Sequence, residues 1–185
     1  IGMGAGPVGL CLALALAQQD GSVALIESMS DDNFLDQVPR AGSNHPTTLE
    51  FFDRIGLYAR MEPRGLIAPK FQYWDRQDSA LIAEFDHALL KDDTRFPYVL
   101  QCERIKIIED ALVMAKAHPL IDVRMATEFT GFEQDGVVRV HVKNQAGERE
   151  TLNDSYLVSC EGARRIARTA LGLEFDGVNY PESTI

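Results

Sequence analysis

The fold turns on one stretch: Ile1-Gly2-Met3-Gly4-Ala5-Gly6-Pro7-Val8-Gly9-Leu10, an apolar run onward to Gly21, then Val23-Ala24-Leu25-Ile26-Glu27. It reads as strand, glycine turn, helix, strand. Pro7 suits the first helical turn, where its missing N–H costs nothing. Leu10, Leu12, Leu14 and Leu16 alternate with Ala and Cys, so the helix is apolar nearly all round, as expected for one packed tightly on a sheet. Gly21 is the expected stop. Val23 to Ile26 then form a short buried strand closing on Glu27.

Gly4-x-Gly6-x-x-Gly9 falls between strand and helix, where a dinucleotide site needs it. In such a site Gly4 permits the tight turn, Gly6 lets the backbone approach a pyrophosphate, and Gly9 lets the helix pack close to the strand. The N–H groups and positive end of the helix face the phosphates. Glu27, at the end of the next strand, is placed to accept hydrogen bonds from a ribose 2′-hydroxyl. Its charge would repel a 2′-phosphate, so the cleft should hold FAD or NAD and not NADP. The plainer alternative is a glycine-rich turn beside a surface glutamate.

Working outward, residues 31–46 are polar and loop-like. A second helix is expected to open with Thr47 and Glu50 at capping-box spacing, to present Phe51, Phe52, Ile55 and Tyr58 inward, and to end at Gly56. Two strand-like runs follow at 70–74 and 80–85. A third helix over 103–117 carries Ile105, Ile108 and Leu112 on one face and is stopped by Pro119. Strands at 121–125, 128–133, 137–143 and 148–152 are punctuated by turns at Asp135-Gly136 and 144–147. A last strand at 156–159 runs into Glu161-Gly162. This alternation predicts an α/β fold, a parallel sheet with a β-meander attached.

The composition narrows the function. With 45% apolar residues, 185 residues can bury a substantial core. A formal net charge of -10 repels phosphate backbones, which argues against nucleic acid as a partner. The longest apolar run, residues 10–17, is too short to span a bilayer. Cys11, Cys102 and Cys160 are far apart in apolar contexts, which favours reduced thiols and a cytoplasmic location. His45, His87, His118 and His141 are scattered, so no metal site is expected. Only three residues precede the glycine loop, where a strand normally runs about 5–6, so the chain reads as a fragment cut at both ends.

With those residues in place, the stretch Gly4-Ala5-Gly6-Pro7-Val8-Gly9-Leu10 resembles the opening of the class A flavoprotein monooxygenases, the family of para-hydroxybenzoate hydroxylase and phenol hydroxylase. Arg40-Ala41-Gly42 resembles that family's arginine loop beside the flavin ring. Gln101 matches a glutamine near the ribityl chain and pyrophosphate. Glu161-Gly162-Ala163-Arg164, followed by Arg168, is similar to its Asp-Gly motif, which contacts FAD and helps handle the nicotinamide. Glu161 stands where aspartate is usual and Arg165 where serine is common, which bears mainly on the nicotinamide step.

The resemblance implies a Rossmann-like FAD-binding domain in two parts, 1–65 and 98–175. A partial substrate-domain sheet at 66–97 would interrupt it, and 176–185 would begin the rest of that second domain. Phe71, Tyr73 and Trp74 would then pack the base of the substrate domain. The implied activity is hydroxylation of an aromatic, phenolic small molecule with O2 and NADH or NADPH as co-substrate. The cofactor carries the chemistry, so no side chain is singled out as catalytic. A homodimer is compatible with this reading. Alternatives are another flavoenzyme on the same scaffold (halogenase, epoxidase or reductase), an NAD-dependent dehydrogenase, or a non-catalytic nucleotide-binding fragment.

Overall fold

The computed structural model describes residues 1–35, 42–162 and 166–178. β1 (Gly2–Met3) leads through the glycine turn into α1 (Pro7–Ala17) and β2 (Val23–Ile26). The chain continues through α2 (Asp31–Phe34), β3 (Ser43–Asn44), α3 (Pro46–Arg54), α4 (Tyr58–Met61), β4 (Leu66–Ala68), β5 (Lys70–Trp74) and β6 (Leu81–Asp86). It returns by β7 (Val99–Gln101), α5 (Arg104–Ala117) and β8 (Ile121–Arg124). The described chain closes with β9 (Thr127–Gln134), β10 (Val138–Asn144), β11 (Arg149–Asp154), β12 (Val158–Ser159) and α6 (Ile166–Ala170).

Four strands form a parallel sheet in the order β12-β1-β2-β8. Alternation along each strand divides its side chains between two cores. Val23, Leu25 and Ile121 join the helix side, among Leu10, Leu14, Ile108 and Leu112 of α1 and α5. Met3 and Ile26 join the other side, with Phe129, Val138, Val140 and Val142 of the antiparallel meander β11-β10-β9. Leu10, Leu25 and Val140 are 0% exposed, and full burial of such a side chain stabilises by about 1.5–3 kcal/mol. The parallel sheet with its attached meander is the α/β arrangement expected. From β1 the chain builds outward through β2 to β8, and only β12 returns to the far side of β1. Strand order therefore reverses between β1 and β12, the place where such sheets leave a crevice at their carboxyl ends.

Several local expectations change. α1 stops at Ala17, and the left-handed residue is Asp20 (φ 59), not Gly21. Asp20 N–H reaches Ala17 O at 3.2 Å and Gly21 N–H reaches Leu16 O at 3.0 Å, the paired bonds of a Schellman ending. The Thr47/Glu50 capping box does not form. α3 begins a residue earlier at Pro46, whose fixed φ favours the first position. Glu50 instead accepts from Thr94 Oγ1 at 2.6 Å. Leu49, Phe52 and Ile55 are buried, Phe51 is half-buried, and Tyr58 belongs to the separate α4. Gly56 (φ 76) does end the helix.

On α5 the buried face is Ile107, Ile108, Ala111, Leu112 and Ala115, while Ile105 is only half-buried. The supposed loop 31–46 contains α2, anchored by buried Phe34, and β3, paired with β7. The hairpin β5–β6 is exposed on both faces, with Trp74 55% accessible. Phe71 packs edge-on to Tyr73 at 4.8 Å and Tyr73 to Phe85 at 6.2 Å. Among the described residues no second layer covers these rings.

Candidate functional site

The glycine turn is shaped by its own backbone. Gly4 has φ 91, a left-handed conformation closed to most side chains, and a Cβ there would lie 2.6 Å from the Cys160 carbonyl oxygen. Its N–H donates to Ile26 O at 2.8 Å. A Cβ on Gly9 would come within 1.9 Å of the Gly4 carbonyl oxygen, so α1 rests directly on the turn. Gly6 is different. It caps α1 with φ -64 and ψ 179, values open to any residue, and an added Cβ would meet nothing within 4 Å. The fold itself makes no demand for glycine there. The added carbon would enter the open cleft, as expected of a position that a ligand's backbone-hugging group must approach.

Glu27 closes β2 and points its carboxylate back at the turn. Its Oε2 accepts from Ala5 N–H at 2.9 Å, and its Oε1 accepts from Met29 N–H at 2.9 Å and Ser28 Oγ at 3.1 Å. A carboxylate offers about four lone-pair sites, so acceptor capacity remains for a ribose hydroxyl. The same side chain braces the glycine turn, a structural role that spacing alone does not show.

A cleft of about 440 Å3 opens over these groups. The carboxyl ends of the parallel strands line it: Met3 and Gly4, Ile26 and Glu27, Thr127 just past β8, and Cys160, Glu161 and Gly162 after β12. Gly6, Pro7 and Val8 form its floor at the start of α1, and Val8 is 67% exposed. Phe34, Ile108 and Phe129 supply apolar wall. Glu161 Oε2 accepts from Ser159 Oγ at 2.9 Å and from Ala167 N–H at 3.0 Å, which anchors the first turn of α6. Burial pushes the Cys160 thiol above its ordinary value, so it is no ready thiolate.

The remaining expected residues are placed less centrally. Arg40, Ala41, Ala163, Arg164 and Arg165 lie outside the described residues. Gly42 makes its close approach to the protein itself, since a Cβ there would lie 1.9 Å from the Cys102 carbonyl oxygen. Gln101 is exposed on β7, where its Oε1 accepts from Ser43 Oγ at 2.9 Å, and it is not among the residues lining the cleft. Arg168 stacks over Phe175 at 4.8 Å. Conversely, Phe34, Arg104, Ile108, Thr127, Glu128 and Phe129 line the cleft although none is an expected site residue. The rule that ligands sit beyond the carboxyl ends of parallel strands would have found Thr127 and its neighbours. No sequence signal marks Arg104.

Comparison with known proteins agrees with this geometry. A family model described as an FAD binding domain matches residues 3–184. The chain is 28% identical over 183 residues to para-nitrophenol 4-monooxygenase of Pseudomonas sp. (strain WBC-3), covering 99% of this chain and 44% of that protein. It is 26% identical over 202 residues to 3-(3-hydroxy-phenyl)propionate/3-hydroxycinnamic acid hydroxylase of Escherichia coli (strain SMS-3-5 / SECEC), covering 98% and 32%. The crystal structure of p-nitrophenol 4-monooxygenase PnpA from Pseudomonas putida DLL-E4 superposes with a TM-score of 0.88 at 30% identity, covering 97% of this chain and 44% of that one. The chain thus spans less than half the length of these relatives. With the match running over nearly all of its residues, the chain belongs to the FAD-binding domain family.

Proposed function

We propose that this chain is the dinucleotide-holding part of an FAD-dependent monooxygenase that uses NADH or NADPH and O2 to hydroxylate a phenolic small molecule. The observation that carries the reading is the open cradle at Gly6. It is a glycine the fold does not need, set in a cleft at the reversal of strand order, with Glu27 beside it. Gly4, Gly6, Pro7, Val8 and Gly9 would hold the pyrophosphate and Glu27 the adenosine ribose. Glu161 and Gly162 line the same cleft. Arg40, Ala41, Gly42 and Gln101 extend the reading toward the flavin end, on the strength of the motif resemblance.

Held by the glycine turn and Glu27, FAD would supply the redox and O2 chemistry of the reaction. The described residues do the quieter work of binding and orientation. Gly6, Pro7 and Val8 at the start of α1 line the cleft, Glu27 fixes the turn through the Ala5 amide, and Phe34, Ile108 and Phe129 supply apolar wall. The phenolic substrate is supported by the names of the relatives. A cytoplasmic location is supported by the three free cysteines. No helix among the described residues is long and apolar enough to cross a membrane. A homodimer and the absence of nucleic-acid partners remain part of the proposal, the latter supported by the net charge of -10.

Ligand released by heat from the purified protein should fluoresce as a flavin and run as FAD, not FMN. Supplied with NADH or NADPH, the whole protein should convert a phenol to a product one oxygen heavier. Bound NAD with no flavin, after incubation with excess FAD, would overturn the reading.

A further inference from the structure

The charged side chains lining the cleft, among the described residues, are Glu27, Glu128, Glu161 and Arg104. All three carboxylates are engaged within the protein. Glu27 is held by the amides of Ala5 and Met29, Glu128 pairs with Lys143 Nζ at 2.9 Å, and Glu161 anchors α6. Arg104 has no such commitment. It is the first residue of α5, half-buried, and its Nε is wholly buried with no hydrogen-bond partner. With Nε closed off from the cleft as well, the terminal amino groups are the part of the guanidinium left for a ligand, and no hydrogen bond or ion pair among the described residues takes them up.

We propose that Arg104 supplies the counter-charge for the pyrophosphate of the bound dinucleotide, an inference that rests on the FAD reading above. A guanidinium offers five donors and no acceptor, so its partner must accept hydrogen bonds, and an anion best repays its desolvation. In FAD the pyrophosphate is the anionic group. The need for a cation is acute here, because a dianion must enter a cleft with three carboxylates in a chain of net charge -10. Arg104 also stands at the N-terminus of a 14-residue helix, whose positive end adds to its own charge. The backbone positions it through the contact that Gly42 allows, since the Arg104 nitrogen lies 3.2 Å from where a Gly42 Cβ would sit.

The test compares wild-type apoprotein with Arg104→Gln and Arg104→Lys in titrations with FAD, ADP and adenosine at two salt concentrations. Arg104→Gln should bind both FAD and ADP about tenfold more weakly or worse, as for loss of charge-assisted hydrogen bonds. Adenosine, which has no phosphate, should bind unchanged. The weakening of FAD binding by salt should be shallower in the variant, because one screened attraction is gone. Arg104→Lys should recover part of the ADP affinity, and it keeps the comparison available if the glutamine variant folds poorly. FAD and ADP constants within about twofold of wild type would overturn the proposal, as would equal losses for ADP and adenosine. Failure of the wild type to bind FAD while binding another dinucleotide would instead strike the FAD reading itself.

Discussion

Gly6→Ala and Gly9→Ala add the same methyl group to the same turn, and the structure gives the two opposite outcomes. At position 9 the new carbon would sit 1.9 Å from a carbonyl oxygen, where ordinary contact begins near 3.4 Å. The oxygen belongs to backbone and cannot rotate away, so α1 must lift from the turn. Overpacking of this kind costs about 1–3 kcal/mol, and this contact lies at the upper end of that range. The better helix propensity of alanine returns up to about 1 kcal/mol, leaving a net loss of about 2 kcal/mol. For a chain of this size that lowers the melting temperature by about 4–8 °C. At position 6 the methyl meets nothing, and φ -64 with ψ 179 is open to alanine. A gain of about 0.4–1 kcal/mol from a stiffer unfolded chain is offset by a poorer N-cap, so stability should stay within about 0.5 kcal/mol of wild type. FAD affinity should nevertheless fall at least tenfold, about 1.4 kcal/mol, because the methyl occupies the cleft floor. Urea denaturation of the apoproteins and flavin-fluorescence titration separate the two effects. Equal destabilisation by both substitutions, or an unchanged FAD constant for Gly6→Ala, would refute the reasoning.

Glu27→Ala removes the acceptor for the Ala5 and Met29 amides, so the apoprotein should lose about 1–3 kcal/mol in urea denaturation and FAD should bind at least about tenfold more weakly. Glu27→Gln, which keeps one acceptor, should fall between, and wild-type values for both quantities would make Glu27 a surface residue. Cys160 is half-buried in the cleft, whereas Cys11 and Cys102 are buried, with burial pushing Cys11 up to about 11. A raised thiol pKa means less thiolate at pH 8 than a free cysteine has, so labelling of Cys160 should be slow, quicken above pH 9 and slow again when FAD is present. Peptide mass spectrometry reads this, and identical labelling with and without FAD would place Cys160 outside the occupied cleft.

What was legible in the sequence followed from periodicity and from turn residues. The strand Val23–Ile26 and the hairpin arm Lys70–Trp74 stand where expected, and the meander keeps its turns at 135–136 and 144–147. Two- and three-residue strands such as β3 and β4 carry no period to read, and their partner β7 is dozens of residues away. Local signals lost where a distant group offered a better partner. Glu50 abandoned the capping box for Thr94, and a one-turn helix formed in a polar stretch because Phe34 could bury itself. At the candidate cleft, the turn of Gly4, Gly6 and Gly9 was readable from its motif, and the placing of Glu27 beside it from the length of the β2 unit that follows. Glu27's brace on Ala5 and the presence of Arg104 in the cleft were not, since both depend on how separate elements meet.

The contact between Gly4 and Cys160 also sets an order of events in time. β1 is held on one side by β2, about twenty residues on, but on the other by β12, where Gly2 pairs with Val158 and Cys160 N–H reaches Met3 O at 2.8 Å. Pairings that distant are slow to close, because the intervening chain must first be ordered. During synthesis the glycine turn therefore lacks one of its walls until β12 and residues 160–162 have followed it off the ribosome. A chain stalled before β12 would carry the whole motif without the Cys160–Gly162 side of the cleft.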